Sequence, residues 1–428
     1  MISRRIGVLA LSVVLGLAAA LVLVDQANSM DAQQLPNNLP HPNPGGKAAT
    51  FSTAGSVNLT EEFFHARGTN GRSCATCHIA EDAWSINPGT LQDLFDQTGG
   101  THPVFNLLDA NNPNMDISTP DARLAAYSMM LSRGVFRRGG APRPNSEWEL
   151  IAVEDPHGFA NLNRLVHWRR VMPTINFQQG SATVNWDGGN NVGNDQIAGL
   201  RNQAARNIPG AQQGLPAPPE VIDDIVNFEL SLSTAQLIVP GVGRLDSDGA
   251  RGGSEELSNM NKTQGRFDLF DAWIGHSNPR RAQIARGQEI FNNTNANGRS
   301  CSGCHNSANN GTNINNAMFD IRVASAEART PDLPLYTFRN RTTGETRQLT
   351  DAGRGNVTGL WNDLGRFKTP TLRALARART ILPQRYRANA YRRGPSLRET
   401  SRLRLHRSGT CRPRRFLKRT VGLAKLAK

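Results

Sequence analysis

Cysteine is scarce in this chain, with five in 428 residues, and that scarcity excludes a small disulfide-stapled scaffold. Hydrophobic residues make up 38%, enough for packed cores and too little for a polytopic membrane protein. Net charge is missing from most of the length. Residues 377–428 hold 14 Arg and 3 Lys against one acid, Glu399, whereas residues 1–376 hold 32 basic and 34 acidic side chains. A body so close to neutrality lacks the clustered positive charge that nucleic-acid phosphates demand, so no nucleic-acid partner is expected. Strand signals are also few, which points to a mainly α-helical fold with long irregular loops and little sheet.

The start of the chain carries a targeting pattern. Arg4 and Arg5 precede an apolar run from Ile6 to Val24, and Ala27-Asn28-Ser29 offers small residues for cleavage. Residues 1–29 thus read as a signal peptide or, since the run is 19 residues long with only Ser12 polar, an uncleaved membrane anchor. Either reading exports the body, and a periplasmic location is expected, with membrane contact only through that anchor. Residues 30–54, rich in Pro and Asn between Leu35 and Pro44, read as a flexible lead-in.

Four of the five cysteines fall in two related segments. Asn70-Gly71-Arg72-Ser73-Cys74-Ala75-Thr76-Cys77-His78 and Asn297-Gly298-Arg299-Ser300-Cys301-Ser302-Gly303-Cys304-His305 agree at seven of nine positions. The similarity extends upstream, where Glu62 and Phe64 precede Cys74 as Glu289 and Phe291 precede Cys301. C-x-x-C-H is the pattern of c-type haem attachment: two thiols add to the vinyl groups, and the next residue sets its imidazole under the iron. Cys74, Cys77, Cys301 and Cys304 are therefore the expected attachment points of two covalent haems, with His78 and His305 as proximal ligands. A thioredoxin-like dithiol and a four-cysteine zinc site are the competing readings of the same residues.

Proline at 218 and 219 opens an amphipathic helix carrying Val221, Ile222, Ile225, Val226, Phe228 and Leu232. The stretch from Pro240 to Gly253, with five glycines, reads as a linker, and Phe267–Ile274 and Arg280–Phe291 as further helices. The expected organisation is a first haem c domain at 55–240, a linker at 241–263, and a second haem c domain at 264–376, each cytochrome c-like.

These modules, with their flanking blocks, resemble the di-haem cytochrome c peroxidase and MauG family over roughly residues 55–376. Pro173-Thr174-Ile175-Asn176 and Asn185-Trp186-Asp187-Gly188-Gly189 look like the family's P-x-x-N and W-D-G-R signatures. Asp351-Ala352-Gly353-Arg354-Gly355-Asn356-Val357-Thr358-Gly359 and Phe367-Lys368-Thr369-Pro370-Thr371-Leu372-Arg373 look like its G-R-x-x-V-T-G and F-K-T-P-T-L-R blocks. The resemblance implies hydrogen peroxide reduction at an open first haem on His78. A six-coordinate second haem on His305 would be fed by a small cytochrome c or cupredoxin. Trp186 would relay electrons between them, and Gln203 would be the distal glutamine. A calcium ion between modules is also implied, with Asn176 and Thr369 as the nearest matches. The family's arginine is replaced by Gly189, and no distal glutamate is recognisable, so an electron-transfer cytochrome, or an oxidase of a protein partner, is the alternative. Met318 is one candidate sixth ligand of the second haem.

The family block that supplies that ligand is missing after Ala376. Thr380–Arg387 can be back-translated as ACC ATA CTT CCA CAA CGG TAC CGC, and reading from the second nucleotide restores P-Y-F-H-N-G-T. Residues 377–428 are accordingly expected to be a frameshifted, disordered tail, with Cys411 an accident of the frame.

Overall fold

The structure, a computed structural model, describes residues 33–378 except 181, 262, 294–297 and 299. The expected signal or anchor segment and almost all of the basic tail lie outside the described residues.

The mainly α expectation is corrected. Among the described residues helix accounts for 30% and strand for 21%, with the strands spread over five small sheets. They were hard to see because few show a clean period of two. The longest of those described, Leu232–Val239, is buried on both faces, and its Ser233, Thr234 and Gln236 break up any apolar alternation. It follows the helix Pro219–Ser231 without an intervening turn, so the helical pattern masks the change of structure. That helix has the expected N-terminal proline, and it buries Val221, Ile222, Ile225, Val226 and Phe228. Each such side chain stabilises the fold by roughly 1.5–3 kcal/mol.

Leu232–Val239 is central in a four-stranded sheet, flanked by Gly46–Ser52 and Gly243–Arg244. The stretch read as a lead-in therefore contributes a core strand, with Ala48 and Ala49 buried. A three-stranded sheet joins Trp148–Glu154 to Leu335–Asn340 and Thr346–Leu349, so a strand from the first half pairs with one strand of a hairpin from the second. Val135–Gly140 pairs with Leu165–Arg170, and Met318–Phe319 with Phe367–Lys368.

Two apolar clusters meet at the first motif. One contains Phe63, Trp84, Ile208, Ile225 and Phe228, with Cys74 packed on its edge. The other contains Leu91, Phe95, Phe105, Tyr127 and Met130, with Cys77 on its edge. The segment between Pro240 and Gly253 is packed rather than free: Val242, Leu245 and Ala250 join Trp273 and Ala285. Arg280–Phe291 falls within the helix Pro279–Asn292, whereas Phe267–Ile274 yields only a short turn at Asp271–Trp273.

Candidate haem-attachment sites

Both cysteine motifs form the same local structure. Cys74–Thr76 and Cys301–Gly303 are single 3₁₀ turns, in which the amide of the histidine donates to the carbonyl of the first cysteine at 3.1 Å in each copy. One turn brings the two thiols to one side and starts the histidine beneath them. Ser73 and Ser300 cap the turns: the Ser73 amide donates to Thr76 Oγ1 at 2.9 Å, and Ser300 Oγ accepts from the Gly303 amide at 3.1 Å. Arg72 is buried, donating to the carbonyls of Pro103 and Val104 and to Asp109 Oδ2 at 2.6 Å. The first turn is thereby bolted to the next loop.

The histidines are oriented alike. His78 Nδ1 lies 2.9 Å from the carbonyl oxygen of Trp84, and His305 Nδ1 meets that of Gly311, six residues downstream in both copies. A carbonyl only accepts, so Nδ1 must carry the proton and Nε2 keeps its lone pair for a metal. Burial holds both imidazoles below their ordinary pKa, favouring the neutral ligand form. In each copy the acceptor residue has a left-handed backbone, φ +59° at Trp84 and +75° at Gly311, so the second module uses glycine where the first strains a tryptophan. Aromatic rings lie at similar distances from the two histidines, Phe63 at 6.1 Å and Phe291 at 6.2 Å. The structural counterpart of Phe291 is thus Phe63, one residue away from the sequence match at Phe64.

This geometry fits covalent haem better than the competing chemistries. Burial pushes the Cys77 thiol up to about 11 and raises Cys74 further, the reverse of the depressed thiolate of a redox dithiol. Among the described residues no three His, Cys, Asp or Glu side chains gather as a metal group, so the two cysteine pairs do not meet in one zinc site.

Trp186 stands in the wall of a cavity of about 160 Å³. The lining includes Asp82, Ala83 and Asn87 from beyond the first motif, and Thr312, Lys368 and Arg373 from the second half. Its indole Nε1 donates to the Arg170 carbonyl at 2.8 Å, and its own carbonyl accepts from the Lys368 amide at 2.9 Å. Gly188, two residues on, has φ +72°, and a Cβ there would lie 2.7 Å from Met318 Cε. The methyl of Met318 therefore rests on the W-D-G turn.

Gln203 is half-buried on the helix Gln196–Ala211. The glutamine that touches the first motif is Gln212, whose Nε2 lies 3.8 Å from Cys74 Sγ. Asn176 gives both ends of its amide to the Thr234 backbone, at 3.0 and 2.8 Å. Thr369 is buried, and the cavity beside them is lined by Arg170, Lys368 and Arg373. Desolvation pushes the Lys368 ammonium down to about 8. These residues do not fit a calcium ion.

Two groups escaped sequence reasoning. Arg169 links Asp187 of the W-D-G turn to Asp351 of the D-A-G-R block. Glu229 is buried near Cys74, accepting from Thr174 Oγ1 at 2.5 Å through Oε1, while Oε2 has no partner among the described residues. Its signal was a carboxylate on the apolar stripe of Ile222, Ile225 and Val226. Compared with family models, curated proteins and solved structures, the chain shows no match.

Proposed function

We propose that this is an exported di-haem c-type cytochrome of the cytochrome c peroxidase type, which passes electrons from a small donor protein to hydrogen peroxide. The observation that carries the reading is the duplicated Cys-Cys-His turn, in which each histidine has its Nδ1 engaged by a carbonyl six residues on. Two unrelated structural cysteine pairs would have no reason to orient two imidazoles identically. A bound haem supplies a redox-active iron whose potential depends on its axial ligand and surroundings.

The chain's own residues have distinct tasks. Cys74, Cys77, Cys301 and Cys304 anchor, His78 and His305 ligate, and Ser73, Ser300 and Arg72 hold the turns in shape. Trp186, between segments that follow the two motifs, is the intermodule relay. Peroxide turnover is the narrower part of the proposal and rests on the resemblance. The alternative, an electron-transfer cytochrome or an oxidase of a protein partner without peroxide turnover, is favoured by one observation: where the family has an arginine, Gly189 stands with its carbonyl facing Arg206 Nη1 at 3.5 Å.

The test is maturation of the full chain in a host that exports and attaches haem c. Denatured pyridine spectra should count two haems per chain, and mass spectra should place them on the two C-x-x-C segments. Replacing Cys74 and Cys77 by Ala should leave one. A chain that acquires none overturns the reading; two haems without oxidation of a reduced donor by peroxide select the carrier alternative.

A further inference from the structure

Among the described residues, the first module contains a polar chain that the second lacks. The Trp84 carbonyl accepts from His78 Nδ1 at 2.9 Å and also from the Thr174 amide at 3.1 Å. Thr174 Oγ1 then donates to Glu229 Oε1 at 2.5 Å. One residue, Thr174, thus contacts both the acceptor of the proximal histidine and a buried carboxyl. In the second module His305 rests on the Gly311 carbonyl, and among the described residues no further hydrogen bond to that carbonyl leads on to a buried carboxyl.

No cation among the described residues neutralises Glu229. The charged groups of the surrounding elements have partners other than Glu229: Asp223 pairs with Arg201 at 2.6 Å, Asp224 accepts from the Glu62 backbone amide at 2.8 Å, and Glu62 pairs with Arg67. Glu61, beside Asp224, is itself raised by burial and by that neighbour. The strand Leu232–Val239, which continues the Glu229 helix, carries no charged residue. Burial therefore dominates and pushes the Glu229 carboxyl up to about 7, against the opposing Thr174 hydrogen bond. Its charge is also felt at Cys74, one of the two attachment points of the first haem.

We propose that Glu229 is a positioning residue on the proximal side of the first haem, making reduction of that centre, and not of the second, proton-linked. An electron entering there from the donor protein or an electrode lowers the positive charge near Glu229. The carboxylate then takes a proton from solvent, so one electron and one proton enter together and no bond to the protein breaks. At higher pH the ionised carboxylate favours the oxidised centre through a low-dielectric interior. This role of Glu229 rests on the haem reading of the Cys74–His78 motif.

The experiment is a spectroelectrochemical titration of the full-length, haem-loaded protein between pH 5.5 and 8.5, resolving the two haems by their spectra. The first midpoint should fall with rising pH across the Glu229 ionisation. The limit is a tenfold change in the reduction equilibrium per pH unit, about 59 mV for one electron. Glu229→Gln should flatten that dependence and leave the second midpoint unchanged. Thr174→Val keeps the carboxyl and removes its donor, so the breakpoint should move to higher pH, a shift that a merely structural role would not produce. A pH slope that persists in Glu229→Gln, or a flat wild-type titration with both haems attached, overturns the proton linkage alone. Absence of haem on Cys74 and Cys77 overturns the underlying reading together with it.

Discussion

Arg169 grips Asp351 through Nε at 2.8 Å and Nη2 at 2.9 Å, while its Nη1 reaches Asp187 at 2.6 Å. One guanidinium thus ties a strand of the first half to the turn beside Trp186 and to the D-A-G-R loop of the second. Burial works to raise the pKa of Asp351, but Arg169 and His167 outweigh it and hold the carboxyl well below the usual carboxylate range. Removing the cation would strand two half-buried or buried carboxylates, and a broken buried pair typically costs about 3–5 kcal/mol.

Arg169→Ala should therefore lower the denaturation midpoint at pH 7 by an amount corresponding to about 3–5 kcal/mol. The sign of its pH dependence follows from a depressed carboxylate pKa: the stabilisation is present above the unfolded value and is lost as pH falls through the folded one. The gap between wild type and Arg169→Ala should accordingly shrink below about pH 4, where an unfolded Asp begins to protonate. Urea melts at pH 7 and pH 3.5 decide this, and equal midpoints at pH 7 would refute it.

Gly188→Ala should destabilise for two separable reasons. The left-handed backbone costs a non-glycine residue roughly 1–2 kcal/mol, and a Cβ there would lie 2.7 Å from Met318 Cε and 2.8 Å from Arg354 Nη1. Gly193 shares the left-handed backbone, φ +53°, but a Cβ there meets nothing within 4 Å. Thermal melts should thus show a larger loss for Gly188→Ala than for Gly193→Ala. Equal losses would mean that Met318 does not press on the turn.

The two cysteine motifs were legible in the sequence because Cys-x-x-Cys-His is a local pattern of fixed residue types at fixed spacing, and the repeat doubled the signal. Helix Pro219–Ser231 was visible because its apolar stripe is regular and starts at proline. The sheets were not, since strands such as Gly46–Ser52 and Leu335–Asn340 take partners from the other half of the chain, Ser52 opposite Leu232 and Leu335 opposite Glu154. Such pairing is a property of the fold rather than of a local pattern. Glu229 and Arg169 were missed for a related reason. A charge on an apolar stripe is visible in the sequence, but which polar atom meets it is decided by the packing of distant elements.

Glu229→Gln should change the pH dependence of folding as well as that of reduction. A carboxyl raised to about 7 in the fold is most favourable when protonated, so its contribution is fully present below the unfolded pKa. It is lost as pH rises from about 4.3 toward 7. Across that window wild type should lose up to about 4 kcal/mol relative to Glu229→Gln, because each pH unit between the unfolded and folded values is worth roughly 1.4 kcal/mol. Guanidinium melts of both proteins at pH 5 and pH 8 measure it. A difference that does not vary with pH would show that Glu229 titrates normally.

Trp186→Phe separates the relay from packing. The indole makes one hydrogen bond, to the Arg170 carbonyl at 2.8 Å, and losing it should cost about 1 kcal/mol, while the ring itself keeps most of its place in the cavity wall. Stability and haem content should thus change little. With Trp186 as the proposed relay, rapid-mixing kinetics of the reduced protein should show electron transfer between the haems slowed at least tenfold, with each haem still reducible on its own. An unchanged rate would make Trp186 a wall of the cavity and leave the path between the modules to the backbone that joins its carbonyl to Lys368.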